Sequence, residues 1–202
     1  MQSDTTVHIV DDDEAIRQSL TLLLRSVDIN VQSYDSAQAF LDVFDATKPG
    51  CLLLDIRMPA MSGLELQQEL KQRKIQIPVI ILTGHADVAL AVRAMKAGAM
   101  DVIEKPFHDQ DLLDSVSKAL ANSVAILQAQ QKQIKFLERA SMLSPREQEI
   151  MNMYIEGKCG KAIAADLNIS PKTVNVHRGH ILEKMQVRTM IELVHLAMPN
   201  KL

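Results

Sequence analysis

The chain has 202 residues and an apolar fraction of 47 %, enough for one large domain or two small ones with real cores. Aromatics are only 3 %, Trp is absent, and two cysteines exclude a disulfide framework or a cysteine-rich zinc site. The formal net charge of −3 divides into −5 over residues 1–139 and +2 over residues 140–202, so the C-terminal part is the half suited to an anionic partner. The N-terminus lacks a basic segment followed by an apolar one, and no apolar run approaches ~20 residues. A soluble cytoplasmic protein with no membrane partner is expected.

Strand and helix signals alternate up to about residue 122. Thr6–Val10 reads as a short apolar strand. Glu14–Arg25 follows with Ile16, Leu20, Leu23 and Leu24 at a helical period. Ile29–Tyr34 alternates as a strand, and Ser36 caps the helix that carries Phe40, Leu41 and Phe44. Cys51–Leu54 is wholly apolar, as buried parallel strands are. Pro59 and Gly63 punctuate a loop before a helix at Leu64–Arg73. Val79–Leu82 is another buried strand, Asp87–Lys96 a helix stopped at Gly98, and Met100–Ile103 the fifth strand. A fifth helix starts at Asp109 or Asp111. Repeated βα units of this kind predict an α/β fold, a doubly wound five-stranded parallel sheet with helices on both faces.

That topology gives the strand ends a chemical meaning. Ligands bind in the crevice at the carboxyl ends of parallel strands. Asp11, Asp12, Asp13 and Glu14 follow the first strand, Asp55 the third, Thr83 the fourth and Lys105 the fifth. Carboxylates gathered at one rim repel unless a cation joins them, and hard oxygen donors favour Mg²⁺. The set is that expected of a phosphoryl-acceptor site with Asp55 as acceptor. Taken alone, the acidic run reads equally well as a helix N-cap with first-turn acids, a role that suits Asp13.

From Leu112 no breaker appears until Ser144-Pro145, and the segment 128–133 is Gln-rich. We read one long linker helix, in which residues 123–140 would span ~27 Å. Residues 141–202 are all-α by pattern. Ser144-Pro145-x-Glu147 opens a helix that Gly157 ends. Lys161–Leu167 is a short helix, Asn168-Ile169 a turn, Ser170-Pro171 the cap of a third helix reaching about Met185, and Thr189–Met198 a fourth. A short helix, a tight turn and a longer polar helix describe a helix-turn-helix. Thr173, Asn175, Val176, Arg178 and Gly179 should face a DNA groove, and Lys161, Lys172, Arg178 and Lys184 should reach phosphates. His177 and His180 lie three apart on this helix and could bind a metal; a DNA or core contact is the preferred reading.

These residues carry a family resemblance. Val7–Asp13, Leu54-Asp55-Ile56-Arg57-Met58-Pro59 with Ser62-Gly63, Thr83-Gly84-His85 and Glu104-Lys105-Pro106-Phe107 resemble the flavodoxin-like receiver domain of a two-component response regulator. Leu143-Ser144-Pro145-Arg146-Glu147, Ile163-Ala164, Thr173-Val174 with His177, and Lys184-Met185 resemble the LuxR-type DNA-binding domain. Together they are similar to the FixJ/NarL class of transcription regulators. The resemblance divides the chain into a receiver at 1–122, a helical linker at 123–140 and a four-helix helix-turn-helix domain at 141–202.

It also implies roles. Asp55 is phosphorylated by a sensor histidine kinase. Asp11, Asp12, Asp55 and the backbone carbonyl of Arg57 hold Mg²⁺. Thr83 and Lys105 bind the phosphoryl group, and the Lys105–Pro106 bond is cis. The phosphorylated protein forms a homodimer, binds promoter DNA and can engage RNA polymerase. Two departures stand out. The position three before the lysine, often a switching aromatic, is Val102, and Cys159-Gly160-Lys161 and Asn175 replace a Ser-Asn-Lys run and a lysine. Two other readings are a phosphorelay sink or adaptor whose helical domain meets protein, and a haloacid-dehalogenase-like phosphatase. The latter wants a second Asp where this chain has Arg57. Beyond its own phosphorylation and slow dephosphorylation, no enzymatic activity is expected.

Overall fold

The computed structural model describes residues 5–84 and 88–197. His85, Asp87 and Met198, which belong to the expected switch motif, helix start and helix end, lie outside the described residues. The chain divides into two compact units, Met1–Leu127 and Gln128–Leu202.

In the first unit, β1 (Thr6–Val10), β2 (Asn30–Tyr34), β3 (Gly50–Asp55), β4 (Val79–Gly84) and β5 (Asp101–Lys105) form one parallel sheet in the order β2-β1-β3-β4-β5. The helices α1 (Glu14–Arg25), α2 (Ala37–Val43), α3 (Gly63–Gln72), α4 (Val88–Ala97) and α5 (Asp109–Ser141) alternate with the strands. Strand alternation sorts the core into two layers. Leu52, Leu54, Val79 and Ile81 pack with Phe40, Leu66, Leu70 and Ala94 of α2, α3 and α4. Cys51, Leu53, Ile80 and Leu82 pack with Leu20, Leu24, Leu112 and Val116 of α1 and α5. Every residue of β3 is buried, because both of its faces are covered.

Helix starts follow the expected chemistry. Asp13 caps α1 by accepting from the N–H groups of Ala15 and Ile16, and Ser36 caps α2. Ser62 and Glu65 close a capping box on α3. The fifth helix runs without a break from Asp109 to Ser141, through the Gln-rich stretch.

In the second unit, α6 (Pro145–Ile155), α7 (Gly160–Asp166), α8 (Pro171–Met185) and α9 (Met190–Ala197) surround Ile150, Ile163, Val174, Ile181, Met185 and Leu193. Phe136 and Ala140 from the end of α5 pack on the same core. Asn168 at φ 51° and Gly157 at φ 91° make the left-handed turns that end α7 and α6. Among the described residues no helix is long and apolar enough to cross a membrane.

Candidate functional site

Strand register builds the first site. Val10 lies beside Leu54, Asp55 beside Leu82, Thr83 beside Glu104, and Gly84 beside Lys105. One residue past β1, Asp11 therefore stands level with Asp55. The ammonium of Lys105 closes the gap between them, donating to Asp55 Oδ1 at 2.7 Å and to Asp11 Oδ2 at 2.8 Å. The other oxygens are also held. The Arg57 backbone N–H donates to Asp55 Oδ2 at 2.6 Å, and the Asp13 N–H to Asp11 Oδ1 at 2.9 Å.

Asp11, Asp55 and Thr83 are buried, at 2 %, 9 % and 6 % exposure. Charges this far from water need partners, and here each carboxylate has a cation and an N–H. Burial alone would lower the Lys105 pKa; the hydrogen bonds to Asp11 and Asp55 outweigh it and raise the pKa above its ordinary value. Asp12 lies exposed on the rim, and Thr83 sits at the end of β4, one step past the neighbour of Asp55. The Lys105–Pro106 bond is cis. Val102 packs into the α2–α4 core layer together with Leu90.

One contributor, Arg17, and the packing role of another, Gly63, escaped the sequence reading. The Arg17 guanidinium donates to the Asp11 carbonyl at 2.8 Å, tying α1 to the acidic loop. Gly63 starts α3 directly against the Asp55 backbone, with its N–H on the Ile56 carbonyl at 3.0 Å. Sequence placed Gly63 at a loop end and in the receiver-like motif, but did not show its packing against Asp55.

The second site is the outer face of α8. Val174, Ile181 and Met185 point inward, while Lys172, Asn175, Val176, Arg178 and Gly179 are exposed. Ser170 caps this helix through the Thr173 N–H at 3.0 Å, and Thr173 is half-buried. Lys161 is exposed on α7.

Lys184, expected to reach a phosphate, is exposed and also has a partner within its own domain. Its ammonium donates to Glu147 Oε2 at 2.6 Å, between α8 and α6. Glu147 is 4 % exposed, and the ammonium answers its buried charge. The same carboxylate takes the Ser144 N–H at 2.8 Å in a capping box. The Lys184 hydrogen bond, then those from Ser144, hold the Glu147 pKa down to about 2. Sequence placed Glu147 in a helix-opening pattern and in the LuxR-like motif, but did not show its pairing with Lys184.

A receiver-like α/β unit with an acidic strand-end site, followed by a helix-turn-helix unit, defines a phosphorylation-type transcription regulator. Residues 7–117 match the response regulator receiver domain, and residues 141–197 match the bacterial regulatory proteins of the luxR family. The chain thus belongs to the two-component response regulators of FixJ type, with a LuxR-type DNA-binding domain. It is 42 % identical over 196 residues to the transcriptional regulatory protein FixJ of Rhizobium meliloti, covering 97 % of this chain and 96 % of that one. It is 41 % identical over 194 residues to TdiR of Thauera aromatica, covering 96 % and 86 %. Among solved structures, the response regulator StyR has a TM-score of 0.82 at 41 % identity, covering 98 % of this chain and all 100 % of that one. Full-length FixJ from B. japonicum has a TM-score of 0.58 at 39 % identity, with 97 % of both chains covered.

Proposed function

We propose that Asp55 is the phosphoacceptor and that its phosphorylation controls DNA binding by α8. The observation that carries this is the single Lys105 ammonium shared by Asp55 and Asp11. A sensor histidine kinase supplies the phosphoryl group. An Asp55 oxygen attacks phosphorus, the new O–P bond forms as the P–N bond of phosphohistidine breaks, and the freed imidazole takes a proton. Asp55 is left as an acyl phosphate.

The oxygen-rich rim fits a hard dication: two buried carboxylates already share one cation, and exposed Asp12 adds a third. Asp11, Asp12, Asp55 and the Arg57 carbonyl would hold Mg²⁺, which when bound supplies positive charge to the phosphoryl oxygens. Lys105 then turns from Asp55 to the new phosphoryl group, and the Thr83 hydroxyl donates to it. The added charge of about −1.5 to −2 biases a two-state equilibrium. With Val102 in place of a ring, the signal passes through movement of the Thr83–Gly84 backbone and α4.

The output is a homodimer on paired half-sites of promoter DNA, with RNA polymerase as a further partner. Lys161, Lys172, Arg178 and Lys184 meet phosphates; Thr173, Asn175, Val176 and Gly179 meet the groove. Residues 1–122 serve as receiver, 123–140 as linker and 141–202 as DNA-binding domain. The protein works in the cytoplasm and has no enzymatic role beyond its own phosphorylation. Asp55→Asn should abolish phosphorylation by an acyl phosphate donor with Mg²⁺, because an amide is a poor nucleophile. Labelled phosphate incorporated at the wild-type level would refute the assignment.

A further inference from the structure

Outside the acidic rim, the described residues bring one other group of metal-ligating side chains together. Glu147, near the start of α6, faces His177 and His180 on α8. One ligand atom from each lies within 4.8 Å of the other two. The Glu147 carboxylate divides its oxygens between two tasks. Oε2 receives Lys184 and the Ser144 N–H, while Oε1 looks toward His180 Nδ1 at 3.6 Å. That is too long for a hydrogen bond. Nδ1 of His177 is buried, with no hydrogen-bond partner among the described residues. A buried ring nitrogen without a partner is rare enough in folded proteins to need a reason.

We propose that Glu147, His177 and His180 form a binding site for a borderline-soft divalent transition-metal ion, Zn²⁺ fitting best. Two imidazoles and one carboxylate are a familiar three-residue zinc set that leaves a fourth position for water. Imidazole ligands also set this site apart from the receiver rim, whose donors are all oxygen and suit Mg²⁺. Zinc–nitrogen and zinc–oxygen bonds of about 2.0–2.2 Å put tetrahedral ligand atoms roughly 3.3 Å apart. The three atoms, within 4.8 Å of one another, must therefore close by about 1.5 Å at most. His180 is exposed and free to rotate, so it can supply most of that movement. Glu147 is already fixed by its capping box and by Lys184, which pre-orients Oε1.

Lys184 also opposes the ion, since an ammonium and a dication would share one carboxylate. The site is thus tuned for moderate affinity, and weakening that ion pair should strengthen it. Its position gives it a consequence. The ion would cross-link α6 to the helix that carries Lys172, Asn175 and Arg178, adding positive charge beside their exposed face. Metal occupancy would then influence DNA affinity independently of Asp55.

The test is titration of Co²⁺, then Zn²⁺, into the full-length chain. Co²⁺ bound by two imidazoles and a carboxylate in four- or five-coordination gives strong visible bands; an oxygen-only octahedral site gives weak ones. One strongly absorbing Co²⁺ per chain, displaced by Zn²⁺, is expected. His180→Ala, at an exposed position, should weaken this signal at least tenfold, while His195→Ala should leave it unchanged. Lys184→Met should strengthen it. Bands of equal strength in His180→Ala, or only weak octahedral bands in the wild type, would overturn the proposal.

Discussion

Replacing Gly63 by Ala tests how tightly the receiver site is built. A Cβ at this position would fall inside the van der Waals surface of the Asp55 carbonyl oxygen, and would lie 3.1 Å from both the Asp55 carbonyl carbon and the Ile56 Cα. All three neighbours are backbone, so no side chain can swing away. The Gly63 N–H is also tied to the Ile56 carbonyl at 3.0 Å, which holds α3 against the strand end. Either α3 retreats or the Asp55 backbone moves. Overpacking of this kind costs about 1–3 kcal/mol of stability. The effect on chemistry should be larger than that suggests. A displacement on the order of 1 Å at a reacting group can cost ~100-fold in rate. Asp55 Oδ2 is aligned by the Arg57 N–H at 2.6 Å and Oδ1 by Lys105 at 2.7 Å, and both contacts would be disturbed together. The assay is the rate of labelled phosphate incorporation from an acyl phosphate with saturating Mg²⁺, beside a urea unfolding curve. The expected result is a folded protein, destabilised by a few kcal/mol at most, whose phosphorylation is slowed about 100-fold. A variant with wild-type rate would show that α3 can yield without moving Asp55, and would refute the reasoning.

Further outcomes follow from other contacts. Lys184→Met leaves Glu147 buried with only the Ser144 donors, and should destabilise the second unit by roughly 3 kcal/mol. The low end of the range applies because the Lys184 side chain is 39 % exposed. Hydrogen exchange across residues 145–197 reads this, and unchanged protection would contradict it. Arg178→Ala should reduce the slope of log DNA affinity against log salt by ~1, whereas Asn175→Ala should relax sequence preference. If Asn175→Ala instead weakens every sequence equally, that side chain is a backbone contact. Burial pushes the His8 pKa down to about 4 from 6.5, within a ring of Tyr34, Phe40 and Phe44. The unfolded chain therefore takes up the proton first as pH falls. Stability from neutral His8 is complete above pH 6.5 and is lost progressively toward pH 4, by up to ~3 kcal/mol. The stability gap between wild type and His8→Phe, measured by urea unfolding, should shift by that amount between pH 7 and 4; a constant gap would disprove it.

How much of this was legible beforehand depends on the range of each interaction. Caps were legible because both partners lie within a few residues: Asp13, Ser36 and Ser144 all cap the helices that follow them. The third strand was legible because burial on both faces leaves an unbroken apolar run. Glu147 shows the limit. Its capping role is local and explains its identity, but its deeper role depends on Lys184, 37 residues away, and on the two histidines of α8. The i, i+3 spacing of those histidines was visible; the carboxylate that completes the set was not. Lys184 is alike: a lysine in the last turn of a polar helix has no ion-pair partner in view until the neighbouring helix is placed.

Lys105 makes the point in the opposite direction. A lysine after an apolar strand has no address in sequence, and its meaning came from assuming that the strand ends converge. The observed order places β5 two strands from β3 and three from β1. Only a long side chain, helped by the strand-end loops, can bridge that span to Asp55 and Asp11 at once. Topology thus decides which residue types can serve at each strand end. Short acids suffice on β1 and β3, which are neighbours, and a short hydroxyl on β4, beside β3. The cation on the outlying strand must be able to reach. The chemistry of the rim is in this sense a consequence of strand order, and that is why a motif scattered over 95 residues, from Asp11 to Lys105, could be read as one site.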